Sequence, residues 1–218
     1  MAATLSRRPA LRGLSHASAA VVALLGALWL YALADSGAEY VSAAIYSTGL
    51  LLLFAVSGTY HSLSWGATAA AVLRRVDHSL IFVLIAATYT PFCLLVLEGV
   101  SGITLLMLVW SLAICGVLLK LTWIESPRWL GVLLYLGLGW LAVAAAPFVA
   151  TSVTLSTTVL LLVGGLLYTL GALVYALRRP DPFPAVFGYH EVFHLFVIAG
   201  AATHYALVAA LFVDGSIG

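Results

Sequence analysis

Long apolar segments separated by short polar connections dominate the hydrophobicity pattern of the chain. Each segment approaches the roughly 20 residues that a helix needs to cross a bilayer, and the segments lack the period-2 alternation of barrel strands. Seven transmembrane helices are predicted, at about residues 17–34, 41–63, 78–97, 101–119, 129–150, 153–177 and 189–213. Because the connections are short, we expect one all-α bundle of antiparallel neighbours, a single domain covering residues 1–218.

The composition agrees with this pattern. Hydrophobic residues make up 64% of the 218 residues and charged residues only 8%, which is far outside the range of soluble globular domains. We therefore expect a multi-pass protein of the plasma or inner cell membrane, with a membrane lipid as its partner and no nucleic acid. The composition leaves the oligomeric state open.

The charged residues predict an orientation in the membrane. All nine basic residues lie in the amino-terminal tail or in alternate connections: Arg7, Arg8, Arg12, Arg74, Arg75, Lys120, Arg128, Arg178 and Arg179. The other connections and the carboxyl-terminal tail hold Asp35, Glu39, Glu98 and Asp214, without Lys or Arg. The positive-inside rule then predicts a cytoplasmic amino terminus and an external carboxyl terminus.

The first apolar segment has a second interpretation. An Arg-rich start, a short apolar run and the small residues of Ala32-Leu33-Ala34 are also compatible with a cleaved signal peptide. We favour a retained helix, and the orientation of the later helices is the same in either case.

The last apolar segment opens with groups that lipid does not accept. His190, Glu191 and His194 precede a run without Lys, Arg or Asp up to Val213, and ionisable residues inside a membrane usually mark a functional site. His190 and His194 are four residues apart, so a helix places them on one face, one turn apart. This spacing favours a metal site, whereas Glu191 points about 100° away and is a weaker candidate.

Other polar side chains should reach the same depth. Ser57 and His61 lie near the end of the second predicted helix, and Asp77 lies at the start of the third. Since consecutive helices alternate in direction, these residues and the pair His190 and His194 are predicted to meet near the cytoplasmic face.

Three imidazoles are a common set of protein ligands for catalytic zinc, with a fourth position left for water. Zinc would lower the pKa of that water toward neutrality and make it a nucleophile for an amide or ester carbonyl. Asp77 could deprotonate the water or hydrogen-bond a ligand, and Ser57, on the same helix face as His61, could bind a ligand, a water or a substrate carbonyl.

The remaining histidines have simpler interpretations. His204 lies 14 residues beyond His190, about 21 Å along the helix axis, so we expect it to hydrogen-bond a neighbouring helix. His16 lies in the basic tail and His78 at the predicted membrane edge, where both are expected to be solvated or interfacial.

Three of these elements, in this order on seven helices, resemble the progestin and adipoQ receptor family and in particular its bacterial hemolysin III-like branch. They are Ser57-Gly58-Thr59-Tyr60-His61, then Asp77-His78-Ser79 with Ala87-Thr88-Tyr89-Thr90-Pro91, and His190-Glu191-Val192-Phe193-His194. The resemblance implies a seven-helix bundle with zinc near its cytoplasmic side, held by His61, His190 and His194, with Asp77 and Ser57 beside the zinc-bound water. The family is also similar to alkaline ceramidases, which implies hydrolysis of a lipid amide or ester.

The leading functional hypothesis is therefore a zinc-dependent intramembrane hydrolase. Two alternatives stay open: a membrane sensor or receptor with a structural zinc site, and a hemolysin-type pore-forming protein. The residues favour zinc, but iron and manganese are also compatible with them.

Overall fold

The computed structural model describes residues 11–97, 99–149 and 154–213, which form seven helices. They are α1 (Leu11–Leu33), α2 (Gly37–Ser62), α3 (Ala67–Leu95), α4 (Gly99–Thr122), α5 (Arg128–Val149), α6 (Leu155–Leu177) and α7 (Tyr189–Val213). Six are long and apolar enough to cross a membrane, and α5 has an apolar stretch over Arg128–Val143. The predicted all-α membrane bundle is confirmed. Its orientation stays a prediction, and four residues used for it, Arg7, Arg8, Glu98 and Asp214, lie outside the described residues.

Two helices begin well before the apolar segments that predicted them. α1 begins at Leu11 rather than at 17, and α3 begins at Ala67 rather than at 78. Alanine has the highest intrinsic helix propensity, so the Ala-rich stretch 67–71 continues α3 although arginines soon follow. Arg74 and Arg75 therefore lie on α3 rather than in a connection, and Asp77 lies about three turns into the helix.

The first helix is an integral part of the bundle. Leu30 of α1 shares a buried apolar cluster with Leu50 of α2 and Leu207 of α7. A Cβ added at Gly58 of α2 would lie 2.8 Å from the backbone nitrogen of Ala17, so α1 and α2 approach each other backbone to backbone. The segment that also resembled a signal peptide thus packs as a bundle helix.

The basic residues that the structure describes, from Arg12 to Arg179, gather at one end of the bundle, here called the basic end. Arg75 on α3 donates to the carbonyl oxygen of Leu121 on α4 at 3.2 Å, and the Arg128 guanidinium of α5 lies 5.6 Å from the ring centroid of Tyr175 on α6. Contacts of this kind bring the starts of α1, α3, α5 and α7 together with the ends of α2, α4 and α6.

A cavity of about 350 Å³ lies between α3, α5, α6 and α7. It extends from Asp77 and His190 at the basic end to Leu207 on α7, and its wall is mainly apolar. The cavity exists because α5 packs loosely against its neighbours, whereas α6 and α7 pack closely. The bundle is thus closely packed on one side and contains the apolar cavity on the other.

Candidate metal centre

The first turn of α7 is fixed by two carboxylates. Asp181 accepts a hydrogen bond from the Tyr189 N–H at 2.9 Å, and Glu191 accepts one from the Gly188 N–H at 2.7 Å. The first N–H groups of a helix have no partner within the helix, so such acceptors stabilise its start. This turn carries His190, and His194 follows one turn later.

The structure brings the three predicted histidine ligands together. The ring centroids of His190 and His194 are 4.6 Å apart, as expected for positions one turn apart. His61, in the last turn of α2, lies 4.9 Å from His190 and 5.1 Å from His194 by the same measure. One nitrogen of each ring lies within 4.8 Å of the other two, so these three side chains could hold a metal ion.

The geometry and the hydrogen bonding fit a cation. In a tetrahedral shell with Zn–N bonds of about 2.0–2.1 Å, ligand nitrogens lie roughly 3.3 Å apart, so movements of roughly an ångström would complete the set. Among the described residues, the buried Nε2 atom of His190 has no hydrogen-bond partner. A buried polar atom of this kind requires a partner, and coordination of a cation would supply one.

Asp77 and Ser57 lie beside the imidazoles. The Asp77 carboxylate is 3.9 Å from Nε2 of His61, and Ser57 makes a side-chain hydrogen bond to it. Both residues line the cavity together with His190 and His194. Four of the five predicted site residues therefore line the basic end of the cavity, and His61 lies beside them; the roles of all five in binding or catalysis stay predictions.

Three other predictions had different outcomes. His204 hydrogen-bonds the carbonyl oxygen of Leu161 on α6 at 3.2 Å, as expected. Glu191 is not part of the histidine cluster, and its carboxylate binds Arg12 and the Gly188 N–H instead. The prediction for His78 was wrong: it is partly buried, lines the cavity and hydrogen-bonds the Arg74 carbonyl oxygen at 2.9 Å, because α3 extends beyond it toward the basic end.

The prediction for His16 was also wrong. This residue is only 3% exposed, and its ring stacks on His194 with centroids 3.7 Å apart. Sequence reasoning also missed Arg12, whose Nε donates to Glu191 at 2.6 Å. Arg12 and His16 are four residues apart, so a helix places them on one face. This spacing was a local signal for the pair, but it could be recognised only if α1 was expected to begin before the apolar segment.

Known proteins share this sequence over most of its length. Residues 5–205 match the family described as Haemolysin-III related. The chain is 37% identical over 170 residues to the Hemolysin-3 homolog of Bacillus subtilis (strain 168), which covers 78% of this chain and 76% of that protein.

Two further relatives match most of the chain. The chain is 36% identical over 162 residues to Hemolysin-3 of Bacillus cereus, covering 74% of this chain and 71% of the relative. It is 31% identical over 199 residues to the human Monocyte to macrophage differentiation factor, covering 88% and 79% respectively. The resemblance to the progestin and adipoQ receptor family is thereby confirmed. The chain is a multi-pass protein of the cell membrane that belongs to the haemolysin-III-related family.

Proposed function

We propose that this protein is a zinc-dependent intramembrane hydrolase that cleaves a lipid amide or ester. The observation that supports the proposal most strongly is the position of the histidine cluster at one end of an apolar cavity. His190 and His194 belong to the cluster and also line the cavity. A cation held by them would therefore face the head of any lipid whose chain enters the bundle.

The shape and lining of the cavity favour a long apolar ligand. Along α7 the lining includes His190, Val197, His204 and Leu207, and the 14 residues from His190 to His204 span about 21 Å. Apolar walls with a few polar groups at one end stabilise an alkyl chain by burying it and orient its polar head. An acyl chain attached through an amide or ester has this form.

The donor set favours zinc as the cation. Neutral imidazoles bind zinc well, and a set of three protein ligands is typical of catalytic rather than structural zinc. When bound, zinc supplies a Lewis acid and lowers the pKa of a coordinated water, which is the chemistry that carbonyl hydrolysis requires.

Asp77 is the group placed to move protons in this reaction. Its carboxylate accepts a proton from the attacking water and passes it to the amine or alcohol that leaves when the C–N or C–O bond breaks. Ser57 holds the carboxylate through its hydrogen bond. His61 lies 3.9 Å from Oδ2 of the same carboxylate, so Asp77 is close both to a candidate ligand and to a hydroxyl that can orient it.

An Asp77→Asn variant tests this function. Purified protein in lipid nanodiscs would be assayed for fatty-acid release from a panel of N-acyl and O-acyl lipids, with the metal content measured in the same samples. We expect the variant to keep its metal and to lose about 10²–10⁴-fold in turnover, because the amide cannot accept the proton. Asp35→Asn, the same change at an exposed residue between α1 and α2, is the matched control and should behave as wild type.

Two results would contradict the proposal. One is an Asp77→Asn variant that hydrolyses lipid at the wild-type rate. The other is a metal-loaded wild-type protein that releases no fatty acid from any lipid in the panel, which would favour a sensor with a structural metal.

A further inference from the structure

The start of α1 lies directly against the first two turns of α7, which carry His190 and His194. Nε of Arg12 donates to the Glu191 carboxylate at 2.6 Å, and Glu191 is only 2% exposed. The backbone carbonyl oxygen of Arg12 also accepts a hydrogen bond from Nδ1 of His194 at 3.0 Å. One residue of α1 therefore contacts both Glu191 and His194.

The hydrogen bond to Arg12 determines the tautomer of His194. A carbonyl oxygen can only accept, so Nδ1 must carry the hydrogen, and in the neutral ring the lone pair then lies on Nε2. Nε2 is thereby left as the nitrogen that can bind a cation. Metal-binding histidines commonly have such a partner for their other nitrogen, and its loss typically lowers metal affinity 10–100-fold.

His16 fixes the plane of the same ring. The imidazoles of His16 and His194 are nearly parallel, at 11°, with centroids 3.7 Å apart. The His16 ring is itself packed, because it meets Phe54 of α2 edge to face at 5.1 Å. His194 therefore cannot rotate without displacing a buried ring that is itself packed.

We propose that α1 forms the outer part of the metal site and that His16 is a positioning residue, whose flat ring holds His194 in the orientation needed to bind the cation. His16 is assigned to positioning rather than to coordination because it lies outside the donor cluster described for His61, His190 and His194. The inference rests on the proposed metal binding but not on hydrolysis.

A pair of variants distinguishes the role of the flat His16 ring from the role of its two nitrogens. His16→Phe keeps an aromatic ring to stack on His194 and removes both nitrogens, whereas His16→Gln keeps polar hydrogen-bonding groups and removes the ring. Affinity for Co²⁺ would be measured by chelator competition, and the visible absorption of bound Co²⁺ would report the ligand geometry. Circular dichroism and gel filtration would show that each variant is folded.

We expect His16→Phe to bind Co²⁺ within a few-fold of wild type and with the same spectrum. His16→Gln should bind about 10–100-fold more weakly and with an altered spectrum. Equal affinity in both variants, or loss in the Phe variant, would overturn the positioning role. Absence of Co²⁺ and Zn²⁺ binding in the wild type would instead refute the metal site itself, so the two failures are distinguishable.

Discussion

At the scale of single residues, α7 carries histidines in two different environments. His190 and His194 face two other imidazoles near the basic end. His204 instead donates to the Leu161 carbonyl oxygen of α6 and fits against Gly164, where no side chain occupies the space. The same residue type thus belongs to the candidate metal centre at one end of the helix and to helix packing further along it.

Replacing His204 by alanine should therefore lower stability without removing the metal. Loss of the hydrogen bond to Leu161 and of the packed ring should reduce the free energy of unfolding by about 1–3 kcal/mol. Thermal denaturation and metal analysis of the same sample would measure both effects. His194→Ala is the comparison, for which we expect metal loss; loss of the metal in His204→Ala would contradict this division.

The residues that sequence reasoning identified share a simple signal. His190 and His194 are one turn apart, and the direction of the helices places His61 and Asp77 at the same depth. The contribution of His16 could not be found in this way, since its ring stacks on a residue 178 positions later. Arg12 also lies only four residues before it, and a hydropathy pattern assigns such a stretch to the membrane surface.

At the scale of secondary-structure elements, the position of α1 depends on small residues. Gly58 of α2 faces Ala17 of α1, the residue that follows His16. Any side chain at Gly58 would force the helices apart and move His16 with them. The close approach of these two helices is thus a condition for the contact between His16 and His194.

Two glycine substitutions test the importance of this approach. In Gly58→Ala the new methyl group would lie 2.8 Å from the Ala17 nitrogen, whereas at Gly137 on α5 no atom lies within 4 Å of an added Cβ. We expect Gly58→Ala to cost about 1–3 kcal/mol of stability through overpacking and to weaken metal binding. Gly137→Ala, the same change in open space, should do neither. Equal melting temperatures and metal affinities for the two variants would contradict this account of α1.

The apolar segments predicted the helices correctly but not their ends. Hydropathy marks the part of a helix that lipid covers, and α1 and α3 continue past that part toward the basic end. The Ala-rich start of α3 carried a second signal, helix propensity, which the hydropathy pattern hides. The additional turns contribute to the candidate site, since the extension of α1 carries Arg12.

At the scale of the whole molecule, a closely packed cluster of helices and an apolar cavity lie side by side in one bundle. α1, α2, α3 and α7 share one buried cluster that supports the histidines, while the loosely packed α5 borders the cavity. The sequence predicted that polar groups would meet at one depth. It could not predict the cavity, because a gap between helices depends on the packing of side chains from four separate segments.

The central claim is that the three imidazoles hold one zinc ion. Its most direct test is elemental analysis of detergent-purified protein, prepared without chelators, beside the His61→Ala/His190→Ala/His194→Ala variant. We predict about one zinc per chain in the wild type and none above background in the variant, with both proteins folded and monodisperse. Zinc retained in full by the variant, or a folded wild type that contains no metal and binds none when zinc is added, would contradict the account.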